Sequence, residues 1–316
     1  MMTAGTLDIV TGAFGYTGRY ITRRLLGMGR QVATLTNRPP ALSPFGRRVP
    51  ARPFSFDHTK VLIDHLRGAT TLYNTYWVRF PHHRVTFQTA VENTRALIRA
   101  AEQAGVERIV QVSITKPSTG SSLPYSRGKA LLEEAVRSSE LSYAIVRPTV
   151  IFGPEDILIN NIAWLLRRLP IFGVFGDGQY LLQPVFVEDF ADLVVKVGQQ
   201  SSDIVVDAVG PEIYTYIEMV RLIRDTIGSR AKIIRVPPGL ALLAGRLIGL
   251  AVGDVVITRD EIEGLTSGLL VSDNPPSGKT PLSRWLQRHA ETVGTAYASE
   301  LQRHYGRQTG STTDRP

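Results

Sequence analysis

Leu7-Asp8-Ile9-Val10-Thr11-Gly12-Ala13-Phe14-Gly15-Tyr16-Thr17-Gly18-Arg19-Tyr20-Ile21 reads as a short apolar strand, a glycine-rich turn and the start of a helix. Glycines at 12, 15 and 18 can take φ > 0 and let another group approach the backbone closely. A strand that runs through such a turn into a helix offers unpaired N–H groups and the positive end of the helix dipole to an anion. The usual occupant is a dinucleotide pyrophosphate. Glycine spacing alone also fits an ordinary tight β–α turn, so the flanking residues decide. Residues 17–29 carry a helical pattern, and Gln31-Val32-Ala33-Thr34-Leu35-Thr36 is a β-branched, apolar strand. Strand, turn, helix and strand within about 30 residues make the βαβ unit that the motif requires.

The alternation continues. Strand signals fall at 7–10, 31–36, 51–56, 70–74, 108–113 and 142–146, with helical patterns at 17–29, 60–66, 85–104 and 125–138. Gly105 sits where a helix C-cap is expected. Right-handed crossovers turn such a series into an α/β, doubly wound parallel sheet with helices on both faces. Polar residues that close the strand at 108–113 lie where α/β proteins place ligands. After residue 150 the pattern loosens. Helices are expected at 160–169 and 216–227, a strand at 202–209, and a short strand entering a helix from Pro184 to Val194. The reading is a nucleotide-binding domain over 1–150, a region over 151–308 that completes the sheet and forms a smaller substrate-binding lobe, and a disordered tail over 309–316.

Composition bounds the alternatives. With 316 residues, 43% of them hydrophobic and 20% charged, the chain can bury a full-sized core. There is no cysteine, which removes disulfides, cysteine-ligated zinc and a thiol nucleophile, and fits a reducing compartment. His58, His65, His82, His83, His289 and His304 form no ligand-spaced cluster, so no metal is expected. The net charge is +8, but the arginines are dispersed and no basic block with interleaved aromatics stands out. Nucleic acid is therefore not an expected partner. The N-terminus shows no signal peptide, and the apolar stretch 240–257 is broken by Arg246 and Asp254, so no membrane span is expected. A cytoplasmic location follows. The same stretch allows a peripheral membrane contact, although a buried or ligand-lining helix is the preferred reading.

A second motif follows the strand at 108–113. Pro124-Tyr125-Ser126-Arg127-Gly128-Lys129 places Tyr125 and Lys129 four residues apart, on one face of a helix. A lone Tyr-x-x-x-Lys is usually a solvated pair; its order behind the glycine turn is what gives it meaning. Taken together, the glycine turn, Tyr125/Lys129, Arg147-Pro148-Thr149-Val150-Ile151-Phe152-Gly153-Pro154 and Pro184 to Asp192 resemble the Rossmann-fold short-chain dehydrogenase/reductase superfamily, in its extended or atypical form. The atypical branch it most resembles includes NmrA-like redox sensors and the Rossmann-type accessory subunit of respiratory complex I.

The resemblance implies roles. Tyr125 exchanges the proton while hydride moves to or from a nicotinamide, and Lys129 supports a phenolate and bonds the nicotinamide ribose. Thr115, with Ser113 as runner-up, polarises the substrate carbonyl. Gly12, Phe14, Gly15, Tyr16, Thr17 and Gly18 cradle the cofactor; Asn74, Thr75, Pro148 and Val150 flank it, and Asp57 bonds the adenine amino group. Two departures stand out. The fourth strand ends in the bulky Tyr73-Asn74-Thr75-Tyr76-Trp77-Val78-Arg79-Phe80, and the family's helix asparagine falls on Ala90, with Asn93 a turn away. Trp77, Arg79, Asn160, Asn161 and Phe175 are the candidate substrate-binding residues.

An NAD site places an acid at the end of the second strand, on the ribose 2′-hydroxyl. Asn37-Arg38 stands there instead, with no acid between Gln31 and Ser55. An arginine suits a 2′-phosphate, so NADP(H) is expected in preference to NAD(H). The leading reading is an NADP(H)-dependent oxidoreductase acting on an uncharged carbonyl, enone or quinone-like small molecule. The alternatives are a non-catalytic NADPH-binding structural or redox-sensing protein with a membrane or respiratory-chain partner, and a nucleotide-sugar epimerase or dehydratase. The oligomeric state is not legible.

Overall fold

Seven parallel strands, in the order β3-β2-β1-β4-β5-β6-β11, carry the molecule, with β1 at Leu7–Thr11, β2 at Gln31–Leu35, β3 at Ala51–Arg52, β4 at Ala69–Asn74, β5 at Arg108–Val112, β6 at Ser142–Pro148 and β11 at Ile204–Ala208. The computed structural model describes residues 6–38, 43–81 and 85–305. Helices α1 (Tyr16–Gly27) and α6 (Val187–Gly198) pack together on one face. The helices α2 (Thr59–Leu66), α3 (Phe87–Ala104) and α4 (Pro124–Arg137) pack in series on the other. This is the doubly wound α/β sheet that the alternation of strands and helices predicts.

The sequence explains the layers. The strands are near-continuous apolar runs because helices cover both faces; Ile9, Leu72, Ile109 and Ile145 are fully buried. Helix α1 buries Ile21 and Leu25 completely, each worth about 1.5–3 kcal/mol of transfer free energy. Helix α3 begins at the Thr86 cap, whose hydroxyl accepts from the Thr89 N–H, and ends at Gly105 in the left-handed region (φ 75°). The third strand is two residues long, not the six expected over 51–56, since Pro53 has no N–H for the ladder.

The remaining elements lie beyond the strand ends and, α11 apart, build a second apolar cluster. They are β7 (Ile151–Phe152), α5 (Leu158–Arg168), β8 (Ile171–Phe175), β9 (Leu181–Leu182), β10 (Val185–Phe186), β12 (Tyr214–Thr215), α7 (Tyr216–Thr226), β13 (Lys232–Val236), α8 (Pro238–Val252), α9 (Arg259–Thr266), α10 (Leu282–Arg288) and α11 (Glu300–Tyr305). Phe152, Ile159, Phe172, Val174, Met219, Ile223, Trp285 and Leu286 fill its centre. The short pairs β7–β10, β8–β13 and β9–β12 are separate from the main sheet. The expected tail at 309–316 and His82 and His83 lie outside the described residues.

Candidate nucleotide and proton-transfer site

The glycine turn is built as its residue types require. Gly12 has φ 66°, its N–H donates to the Leu35 carbonyl, and the Gly15 N–H donates back to the Gly12 carbonyl at 2.8 Å. Gly18 lies so close to that carbonyl that an added Cβ would sit 2.3 Å from the Gly12 oxygen. The N-terminus of α1 has no side-chain cap and no acid in its first turn, so its dipole end is left for an external anion. Phe14 is buried under the turn, while Thr17 sits in the first helical turn, half-buried. These features fit a pyrophosphate.

Three guanidiniums gather around the turn. Arg38 donates from Nη1 to the Phe14 carbonyl at 3.0 Å. Burial pulls its pKa below the ordinary arginine value, and the nearby charges of Arg303 and Arg19 add to the effect. Arg19 pairs with Glu155 at 3.1 Å, and Tyr20 also donates to that carboxylate. Arg303, on α11, lies 5.4 Å over the Tyr16 ring and donates to the Glu155 carbonyl. The Tyr16 hydroxyl is buried without a hydrogen-bond partner. Arg19 and Arg303 were not singled out in the sequence; nothing in local spacing joins position 303 to a turn at position 15.

Beside the turn, Phe54, Phe56 and Tyr76 form an aromatic group with centroids 5.0–5.4 Å apart. It joins the segment after β3 to the segment after β4, where a Rossmann sheet receives a nucleotide base. Tyr76 accepts a hydrogen bond from Asn93 at 2.9 Å, so the displaced asparagine serves this group. Asp57 is exposed nearby, and Asn37 accepts from the Phe54 N–H.

Tyr125 and Lys129 do share one face of α4, but Trp77 lies against that face with them. Its ring meets Tyr125 edge-on at 5.8 Å, stacks on Phe87 at 6.0 Å, and lies under the Lys129 ammonium at 4.6 Å. Gly128 makes the arrangement possible, since a Cβ there would come within 2.7 Å of the indole. Lys129 donates to the Val112 carbonyl at 2.9 Å, and burial lowers its pKa to about 7 against the opposing pull of Glu133. Burial raises the Tyr125 hydroxyl to about 12; Arg79 acts against that, while Glu261 and Glu300 add to it. The cation acting on Tyr125 is thus Arg79, which is ion-paired with both carboxylates and ties the β4 end to α9 and α11.

Several expected site residues spend their polar atoms on the fold instead. Ser113 donates to Glu133 at 2.6 Å, and Glu133 is held by Arg147, so this hydroxyl points into a buried ion pair. Thr115 donates to the Leu269 carbonyl. Asn74 is consumed by Thr11, Gln111 and the Tyr76 N–H, and Thr75 by the Thr11 carbonyl. Pro148 closes β6 and its carbonyl accepts from the Thr115 N–H; Val150 packs on the second cluster. Among the expected substrate contacts, Asn160 bonds Gly153, Asp156 and the Gly294 N–H, and Asn161 bonds both backbone atoms of Ala298. Phe175 is buried between Tyr180 and Tyr216. These three side chains are engaged within the second cluster and its connections, whereas Trp77 and Arg79 stand beside Tyr125. No group of His, Cys, Asp and Glu among the described residues could hold a metal ion.

Comparison with known proteins agrees with this architecture. The model of the NAD dependent epimerase/dehydratase family matches residues 9–209. An Arabidopsis thaliana protein, "NADH dehydrogenase [ubiquinone] 1 alpha subcomplex subunit 9, mitochondrial", is 27% identical over 293 residues, covering 86% of this chain and 72% of that protein. A "Ceramide reductase" from Caulobacter vibrioides is 28% identical, covering 76% of each. In fold, the chain resembles a nucleoside-diphosphate-sugar epimerase from Staphylococcus aureus, with TM-score 0.69 and 15% identity over 89% of this chain and 100% of that one.

Proposed function

The chain belongs to the NAD dependent epimerase/dehydratase family, and from that premise we propose that it is an NADP(H)-dependent oxidoreductase reducing an uncharged, apolar carbonyl, enone or quinone-like compound. The observation that carries this reading is Tyr125: a phenol kept protonated, at about 12, inside a wall of Trp77 and Phe87. A protonated phenol within this aromatic wall is a candidate donor to a carbonyl oxygen that receives hydride at its carbon. The bound nicotinamide would supply hydride to the substrate carbon. The chain's own residues do the rest. Tyr125 delivers its proton to the developing alkoxide, and Arg79 beside it stabilises the negative charge left on the phenol. The indole and phenyl rings exclude water and favour an apolar substrate, in keeping with the ceramide reductase relative. Arg38, backed by Arg19 and Arg303, would hold a 2′-phosphate, and the end of β2 offers no acid for a free 2′-hydroxyl. A cytoplasmic location belongs to the same proposal.

The test is NADPH oxidation against a panel of quinones, aldehydes, ketones and enones, repeated with Tyr125→Phe. Turnover that is abolished in the variant, with NADPH binding retained, supports the reading. Trp77 favours a second one. Its indole covers Lys129 and meets Tyr125 edge-on, which would keep both groups from a nicotinamide and suits a protein that holds a nucleotide without turning it over. Tight NADPH binding with no oxidation of any compound in the panel would select that reading, which the respiratory-complex relatives also suit.

A further inference from the structure

Helix α8 is packed inside out. Gly245 and Gly249 face the protein and are buried; a Cβ would come within 2.7 Å of Ile257 at the first and 2.5 Å of the Asp254 carbonyl at the second. Four of its five leucines face outward, with Leu240 56%, Leu243 53%, Leu247 61% and Leu250 81% exposed and the exposed Ala244 and Ala251 among them, while Leu242 packs on the second cluster. At 3.6 residues per turn these six exposed positions fall within one arc of about 120°. A surface helix of a free-standing domain does the reverse, turning its leucines inward. This corrects the expectation of a buried or ligand-lining helix over 240–257.

The surroundings identify what covers the face. From Thr226 to Gly253 there is no acidic residue, whereas Arg230, Lys232, Arg235 and Arg246 are all exposed. Exposed Ile171 and Ile234 on the adjoining β8–β13 pair add apolar surface. At 15 residues the helix is about 22 Å long, short of the ~30 Å hydrocarbon core, and no helix among the described residues is long and apolar enough to cross a membrane. We infer that α8 lies flat on an anionic lipid bilayer, its leucines at the acyl boundary and the basic residues among the headgroups. A second copy of the chain is the poorer occupant, because two such faces would bring like charges together. The inference is independent of the catalytic reading.

Vesicle flotation of the full chain tests it, using phosphatidylcholine alone and phosphatidylcholine containing phosphatidylglycerol, with wild type and Leu243→Glu/Leu247→Glu. Both substituted side chains meet solvent, so thermal unfolding should be unchanged. The expected result is binding to the anionic vesicles that weakens as salt is raised and falls roughly tenfold or more in the double variant. Failure of the wild type to float, equal binding to neutral vesicles, or flotation retained by the variant would overturn it. A wild-type dimer that the variant dissociates, with no flotation, would assign the face to a second copy and also overturn it.

Discussion

Replacing Arg38 with serine separates the two nucleotides. Arg38 donates to the Phe14 carbonyl of the glycine turn and is pressed by Arg303 and Arg19. The substitution does two things. It loosens the turn, which harms NADPH and NADH alike, and it removes a charged donor that only a 2′-phosphate can use. The NADPH-to-NADH affinity ratio cancels the first effect and isolates the second. A hydrogen bond to a charged group contributes about 1.5–3 kcal/mol. The lower half of that range applies, because Arg38 is half-buried and Arg19 and Arg303 still attract the phosphate after it is gone. At about 1.4 kcal/mol per decade, the NADPH preference should fall roughly tenfold to fortyfold. Titration calorimetry of wild type and Arg38→Ser with each nucleotide measures it, and raising the salt should shrink the difference. An unchanged ratio, or a wild type that binds NADH more tightly, would refute the assignment.

Gly18→Ala sets a methyl carbon 2.3 Å from the Gly12 oxygen, and backbone cannot yield cheaply; about 1–3 kcal/mol of stability should be lost, with NADPH affinity falling alongside. Gly27→Ala, with open space around it in the same helix, should melt no lower than wild type. Asp156 is buried, accepts from the Ile159 and Gly153 N–H groups, and is pushed up to about 7. The folded state therefore holds a proton that the unfolded chain has released above about pH 4, and stability contributed by this group drains away as pH rises towards 7. The melting temperature of wild type minus that of Asp156→Asn should fall from pH 5 to pH 8; a difference that rises contradicts the burial argument. Arg79→Leu takes the guanidinium from Glu261 and Glu300, and denaturant unfolding should report a loss of roughly 2–4 kcal/mol, discounted for partial exposure.

The main sheet was legible because strands buried on both faces are unbroken apolar runs, and the turn at 12–18 has one physical use for each glycine. Ends of strands were not legible in the same way. Ser113 and Thr115 both read as hydroxyls at the end of β5, but which way each points depends on the partners packed there, Glu133 for one and Leu269 for the other. Asn160 and Asn161 read as polar groups in a lobe, yet they tie α5 to the segment at 294–298 through backbone atoms more than 130 positions away. The aromatic group Phe54–Phe56–Tyr76 was hidden because its members come from two strand ends that become neighbours only in the folded sheet. Helix α8 misled because its composition suggests burial, and composition cannot say that the glycines face inward.

The two cations near Tyr125 have exchanged parts. A Tyr-x-x-x-Lys pair is expected to lower the phenol through its lysine. Here Lys129 is occupied by the Val112 carbonyl and the Trp77 face, and burial brings it to about 7, so at neutral pH a sizeable share of it carries no charge. Arg79, always charged, stands by the phenol instead, but its charge is matched by Glu261 and Glu300. Burial, with Arg79 opposed by the two carboxylates, therefore leaves the proton on Tyr125. A reduction that takes the proton from Tyr125 needs a group to offset the charge left on the phenol. In the proposed reduction Arg79 would offset part of that charge against the opposing pull of Glu261 and Glu300, and its anchoring through α9 and α11 would make the C-terminal elements part of the proton-donating site.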